Sequence, residues 1–357
     1  MFMPETHIGL FGAGAEAADV LLRDVYRAEV TKALDPLNPH DFLVLVNQIE
    51  RALHGVSRDA EADALRRAIE RLDVDWPNIS PAARNQVIRA ARQALSSVDK
   101  QVLPAVNQVF ELEATKIGAQ TRSSAARQFA LRIGTDLSRT DERIARFVSQ
   151  SQGNFIRDEY GRRSESFSNS ARDIVASGVE QGLSRDDIAG ELSKQMTAAA
   201  FARSESYWQV VAMSFANRAR TYTQLNAFEE AGIQRFRFEA ILDEVTSEIC
   251  RFMHGRVFSV PRATRRFRDV ERVRDPARIQ DIQPWVQVGA DDEDNQVLFY
   301  ERGNRRRMVA QVDESCVGER DEVGTYSRDL SNDQLEAAGV TVPPLHGRCR
   351  STIVTDE

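Results

Sequence analysis

Residues 227–258, AFEEAGIQRFRFEAILDEVTSEICRFMHGRVF, are where the sequence changes its period. Before Gly232, apolar residues recur at steps of three and four, the spacing of one helix face. Gly232 supplies a stop, because a helix commonly ends on a residue in the left-handed region. Directly after it, RFRFE at 235–239 alternates polar and apolar, the period of a half-buried strand. Helix gives way to strand within a few residues. The predicted fold class is therefore α+β: an extended, mainly helical N-terminal region followed by a small α+β C-terminal domain.

Upstream, from about residue 15 to 232, the chain is rich in Ala, Arg, Glu, Gln and Leu, and strand signals are missing. Ser80 before Pro81 places a capping hydroxyl ahead of a first-turn proline, and Ser184 with Asp187 forms a capping-box variant. Pro104 is expected to kink or break its helix. The polar stretch 134–170 is predicted to be an exposed helical arm or connector. The segment SGVEQGLSRDDIAGELSK, 177–194, has the outline of a helix-turn-helix, but its second half lacks a cluster of groove-reading Arg, Asn or Gln, so an ordinary helix pair is expected. A longer helix is predicted over 199–231, with Phe201, Trp208, Val211, Phe215, Ala219, Tyr222 and Leu225 on one stripe. These readings divide the chain into a helical region at 1–198, a connecting helix at 199–232 and a small domain at 233–357.

Composition narrows the function. The 357 residues, 42% hydrophobic, are enough for two cores. A net charge of -7 argues against a protein built mainly to coat nucleic acid. The N-terminal residues show no basic start and no apolar run of signal length, and the longest aliphatic burst, FLVLV at 42–46, is too short for a bilayer. No membrane association is expected. Three cysteines, at 250, 316 and 349, are too few for a secreted disulfide framework.

Downstream of the period change, VLFYERGNRRRMVAQV predicts a hairpin turning at Gly303-Asn304. The arginine-rich stretch 261–278, interleaved with acids, reads as a solvated or partner-facing loop or as a phosphate contact. The soft ligands gather in two short segments. Cys250 and His254 are four residues apart, and His346 and Cys349 three apart, so each pair can face one way. The four can form a tetrahedral structural zinc site, or a metal-free clamp of buried thiols and hydrogen-bonded imidazoles. No HExxH, GxSxG, Walker A or GxGxxG pattern is present, and Cys316 receives no role.

The run ARSESYWQV at 202–210, the stretch 227–258, and VPPLHGRCRSTIV at 342–354 together resemble the C-terminal signature of phage Mu protein F-like minor head proteins, the head morphogenesis proteins of tailed phages and prophages. The resemblance is carried by Arg203, Glu205, Gly232, Asp243, Thr246, Cys250, Gly255, Pro343, Pro344, His346, Cys349 and Arg350, with 261–340 as a variable insert. Ser247 and Ser351 stand where many relatives carry two further cysteines. The resemblance implies a low-copy virion component inside the capsid near the portal vertex, formed in the host cytoplasm during assembly. Its implied partners are the portal protein, capsid or scaffold proteins, and genomic DNA during packaging or ejection; no enzymatic activity is implied. Two other readings stay open: a metal-dependent nuclease or peptidase using His254, His346 and an acid such as Asp243, and a DNA-contacting ejection protein using the arginines of 262–278.

Overall fold

A computed structural model describes residues 34–196, 205–303 and 305–356. Helices α1 (Pro39–Leu72), α2 (Pro81–Gln128), α3 (Arg139–Glu180), α4 (Arg185–Met196) and α5 (Glu205–Glu230) come first. They are followed by β1 (Arg235–Glu239), α6 (Glu248–Met253), β2 (Val257–Ser259), α7 (Val260–Glu271), α8 (Ile279–Ile282), β3 (Val286–Ala290), β4 (Gln296–Arg302), β5 (Arg305–Glu314), β6 (Thr325–Ser327), α9 (Asn332–Ala338) and β7 (Thr352–Thr355). The α+β class read from the sequence holds. The chain forms two compact units, and both are discontinuous. One contains 50–109 and 156–208, the other 34–49, 110–155 and 209–357, so the division does not fall once near residue 198.

The first unit is helical. Its core joins Ala68 and Leu72 of α1, Ile88, Ala91 and Leu95 of α2, Phe167, Ala171 and Val175 of α3, and Ile188 and Leu192 of α4. Trp76 fills the turn after α1 and donates its indole N–H to the Leu72 carbonyl at 3.0 Å, which satisfies the one polar atom of a buried ring. The 177–194 segment is the ordinary helix pair expected. Ser184 Oγ accepts from Asp187 N–H at 3.2 Å and donates to the Asp187 carboxylate at 2.7 Å, and α4 buries Ile188 and Leu192. Pro104 does not end α2, which runs on to Gln128. The proline ring lies on the exposed face, where the freed carbonyl can take water, while Val102, Val106 and Val109 bury the other face.

The second unit is built on α5. Trp208, Val211, Phe215, Ala219, Tyr222 and Leu225 are buried as the stripe predicts; Phe201 lies outside the described residues. From Val211 to Leu225 only Arg218 is even partly exposed, so the helix is buried nearly all round. The polar stretch 134–170 is not an exposed arm. It belongs to α3, and the part in this unit buries Ile144, Val148, Ser149 and Gln152. Short hydroxyls and an amide can be buried because they find partners: Ser149 Oγ reaches the Ala145 carbonyl at 2.8 Å and the Phe110 carbonyl at 3.0 Å. Arg122, 2% exposed, pairs with Asp141 at 3.0 Å and Glu230 at 2.7 Å, and Asp141 also caps α3 through Ser138.

Gly232, at φ +76°, ends α5: its N–H bonds the Glu229 carbonyl and that of Ile233 bonds Phe228. β1 then pairs antiparallel with β2 and β7 in the order β2-β1-β7, and buries Phe236 and Phe238. Each phenylalanine contributes roughly 1.5–3 kcal/mol by leaving water. The variable insert holds a second antiparallel sheet, β3-β4-β5-β6, with the expected β4–β5 hairpin closed by Arg302 opposite Arg305. The arginine-rich stretch is a helix where a loop was expected. α7 is amphipathic, its Ala263, Phe267 and Val270 buried and Phe267 4.2 Å from the Tyr222 ring. Arginines hid the apolar face because their own side chains are tied to neighbours: Arg262 pairs with Asp333 at 2.8 Å, and Arg266 donates to the Glu336 carbonyl at 2.8 Å.

Candidate functional site

The end of the chain folds back onto the segment that opens the C-terminal domain. Val340, Val342 and Leu345 are buried, Pro343 and Pro344 are joined by a cis peptide, and the Leu345 carbonyl accepts from Val286 N–H at 2.9 Å. Gly347 passes so close to α5 that a Cβ there would stand 2.7 Å from Val210 Cγ1. Only glycine fits without displacement. β7 then runs beside β1, with Arg237 opposite Val354 and Glu239 opposite Thr352.

This return brings three of the four predicted soft ligands together. Cys250 Sγ lies 3.2 Å from His346 Nε2 and 3.7 Å from Cys349 Sγ, and the three ligand atoms all lie within 4.8 Å of one another. Cys250 and Cys349 are buried and His346 half-buried. Ser247 Oγ stands 2.9 Å from His346 Nε2. Ser351 also hydrogen-bonds Cys250, so both serines sit beside the remaining cysteines. The thiols titrate as a pair. Contact with Cys349, together with burial, pushes Cys250 well up. Burial acts the same way on Cys349, but hydrogen bonds from Cys250 and His346 outweigh it and hold that thiol well below the usual cysteine range.

His254 does not join them. It follows α6, and its Nδ1 accepts from the Ala240 N–H at 3.2 Å, so the ring serves the end of β1. The four-residue spacing assumed that the helix continues through 254. α6 stops at Met253, which turns His254 away from the Cys250 face.

The remaining signature residues form the other half of the closure. Arg350 forks onto Asp243, Nη1 to Oδ2 at 2.7 Å, with a second bond from Nη2 to Oδ1. Thr246 Oγ1 accepts from Asp243 N–H at 3.0 Å and lies 2.7 Å from the Asp243 carboxylate, holding the loop that receives the arginine. The Arg350 guanidinium, aided by Thr246, holds the Asp243 carboxyl down at about 2. Glu244 pairs with Arg320 instead. Gly255 follows His254 at φ +78° and donates its N–H to the Phe238 carbonyl. Arg203 lies outside the described residues, and Glu205 begins α5. The Asp243 carboxylate is engaged by Arg350 and the His254 ring by Ala240, so the groups of the hydrolase reading are not assembled around His346.

Several contributors escaped the sequence reading. One face of α5 carries Asn217, Arg220 and Gln224, all buried, at three- and four-residue steps. Asn217 donates to the Cys349 carbonyl at 2.6 Å, Arg220 to Ser351 at 2.6 Å, and Gln224 to Ile353 at 2.9 Å. These side chains take up carbonyls along the tail. Arg251, 1% exposed, donates to the carbonyls of Thr246, Asp243, Glu319 and Glu322. Buried Glu248 accepts from Tyr326 at 2.6 Å and Ser315 at 2.5 Å. The available signal was a row of polar residues inside an otherwise apolar helix, SFANRARTYTQLNAF at 214–228. Cys316 is buried but is not one of the clustered ligands.

Taken together, the helical scaffold, the small sheet and the clasped tail define a structural closure built around the 243–258 segment. Residues 169–266 match the family model described as Phage Mu protein F like protein, which bears out the resemblance and supports a Mu protein F-like assignment. The matched segment runs from the end of α3 into α7 and contains Cys250 and Asp243. No curated protein and no solved structure matches the chain. No helix among the described residues is long and apolar enough to cross a membrane.

Proposed function

We propose that the chain is a minor head protein of a tailed phage or prophage that acts in head morphogenesis at the portal vertex. It would sit inside the capsid in few copies, with portal, capsid or scaffold proteins as partners and contact to the genomic DNA during packaging or ejection. The observation that carries this reading is the family match over 169–266. The part played is structural rather than enzymatic: Asp243 and Cys250, from the matched segment, are engaged by Arg350, His346 and Cys349 in closing the domain. The test is to purify proheads and ask whether the protein is in them and whether portal protein retains it. Absence from proheads together with indifference to portal protein would sink the reading.

The closure fits a structural zinc ion held by Cys250, His346 and Cys349. A tetrahedral zinc with sulfur ligands at about 2.3 Å places those sulfurs roughly 3.8 Å apart. The Cys250–Cys349 separation is 3.7 Å. Zinc would take both cysteines as thiolates, and Cys349 is already biased toward that form. Elemental analysis is expected to find one zinc per chain, lost in Cys349→Ser. Less than a tenth of that amount, with unchanged melting in chelator, would leave the metal-free clamp as the description.

A further inference from the structure

A groove of about 460 Å³ runs along the face of the β1–β7 pair that points away from Phe236 and Phe238. Arg237 and Glu239 of β1 and their register partners Val354 and Thr352 of β7 line it, and Leu37 and Phe129 supply apolar wall. Arg220 also lines it, and it is the unusual member. Its side chain is 1% exposed and stacks on Phe42, with Cζ 3.7 Å from the ring centroid. Its bonds go to the carbonyls of Pro36, Arg350 and Ser351, and its Nε has no partner.

No carboxylate among the described residues pairs with this guanidinium. The other cations of the groove differ. Arg350 is matched by Asp243, and Arg237 lies 3.6 Å from Glu239 and 4.0 Å from Asp356. A buried cation facing carbonyl dipoles alone has paid for desolvation without a counter-charge, and burial pushes its pKa down to about 9. An anion brought into the groove would supply what the chain does not.

The lining decides which anion. The volume far exceeds that of a lone phosphate or carboxylate, and the wall offers Leu37, Phe129 and Val354 to an apolar body. Glu239, on the same face, repels a polyanion, which disfavours a nucleic-acid backbone. We propose that this groove binds an extended peptide segment of a partner protein that carries a carboxylate side chain between apolar neighbours, with the carboxylate set against Arg220. The inference rests on the groove and does not depend on the phage reading.

The test titrates the full chain into a fluorescein-labelled hexapeptide, Gly-Leu-Glu-Val-Glu-Gly, and follows anisotropy in moderate salt. Parallel titrations use the Gln-substituted peptide and a twenty-nucleotide single-stranded DNA. Saturable binding of the acidic peptide, at least tenfold tighter than its Gln counterpart, is expected. Ile241→Glu, at a half-buried groove position, supplies a competing carboxylate and should weaken binding at least tenfold with an unchanged melting curve. Arg220→Lys tests the guanidinium with the charge kept, and should weaken binding while the chain still folds. Equal affinity for both peptides, no saturable binding, or binding unchanged in Ile241→Glu overturns the proposal. Tighter binding of the DNA that Ile241→Glu abolishes overturns the peptide assignment.

Discussion

Asp243 and Arg350 lie 107 positions apart and meet as a forked pair, both sides largely shielded from water. Because the folded Asp243 carboxyl is held at about 2, below its ordinary value near 4, its contribution is complete above the ordinary value and is lost as pH falls toward 2. The shift corresponds to about 2 kcal/mol. Asp243→Asn should therefore destabilise the protein by about that amount in urea at pH 7, and the gap from wild type should close between pH 4 and 2. A gap unchanged over that range would refute the pairing as the cause. The sequence made this contact legible, since an acid near the domain start and an arginine beside the last cysteine are both visible. It also brought Cys250, His346 and Cys349 into one candidate group. His254 was misassigned because i,i+4 spacing puts two residues on one face only while the helix lasts, and α6 is six residues long.

At the scale of elements, α5 holds the tail by side chains reaching backbone. Gln224→Leu leaves the buried Ile353 carbonyl unsatisfied and should cost about 1–3 kcal/mol, with faster hydrogen exchange confined first to β7. Exchange accelerating uniformly across the chain would argue against a local latch. Gly347→Ala forces a Cβ against Val210 and should cost roughly 1–3 kcal/mol, partly recovered in the double variant with Val210→Ala. Additive losses in the double variant would show that the close approach is not the cause. The α5 stripe, the stop at Gly232, β1 and the β4–β5 hairpin were legible because local periodicity and turn chemistry specify them. α7 was not, because a helix whose exposed face is nearly all arginine carries too few apolar residues to be told from a charged loop. The buried run of α3 was also missed. Its inward face uses Ser149, Ser151 and Gln152, which sequence reads as surface but whose small size permits close packing.

For the whole molecule, the discontinuous units explain why boundaries read along the chain failed. α1, α2, α3 and α5 each place one part in either unit, and no change of composition marks the crossing. The second unit alone gathers its members from three separated stretches, and the last of these closes it. Deleting 342–357 should abolish cooperative unfolding of that unit, because it removes β7, Cys349 and the carbonyls that Asn217, Arg220 and Gln224 hold. Two unchanged calorimetric transitions would contradict that expectation. The central claim, that the tail returns to the domain start, is tested most directly by cross-linking. In a Cys316→Ser background with chelator present, diamide should oxidise the two remaining thiols to one intramolecular disulfide while being reduced itself. Digestion and mass analysis should recover a Cys250–Cys349 peptide in most chains under native conditions, as their 3.7 Å sulfur separation requires. Recovery of both cysteine peptides unlinked, or linked only between chains, would contradict the account.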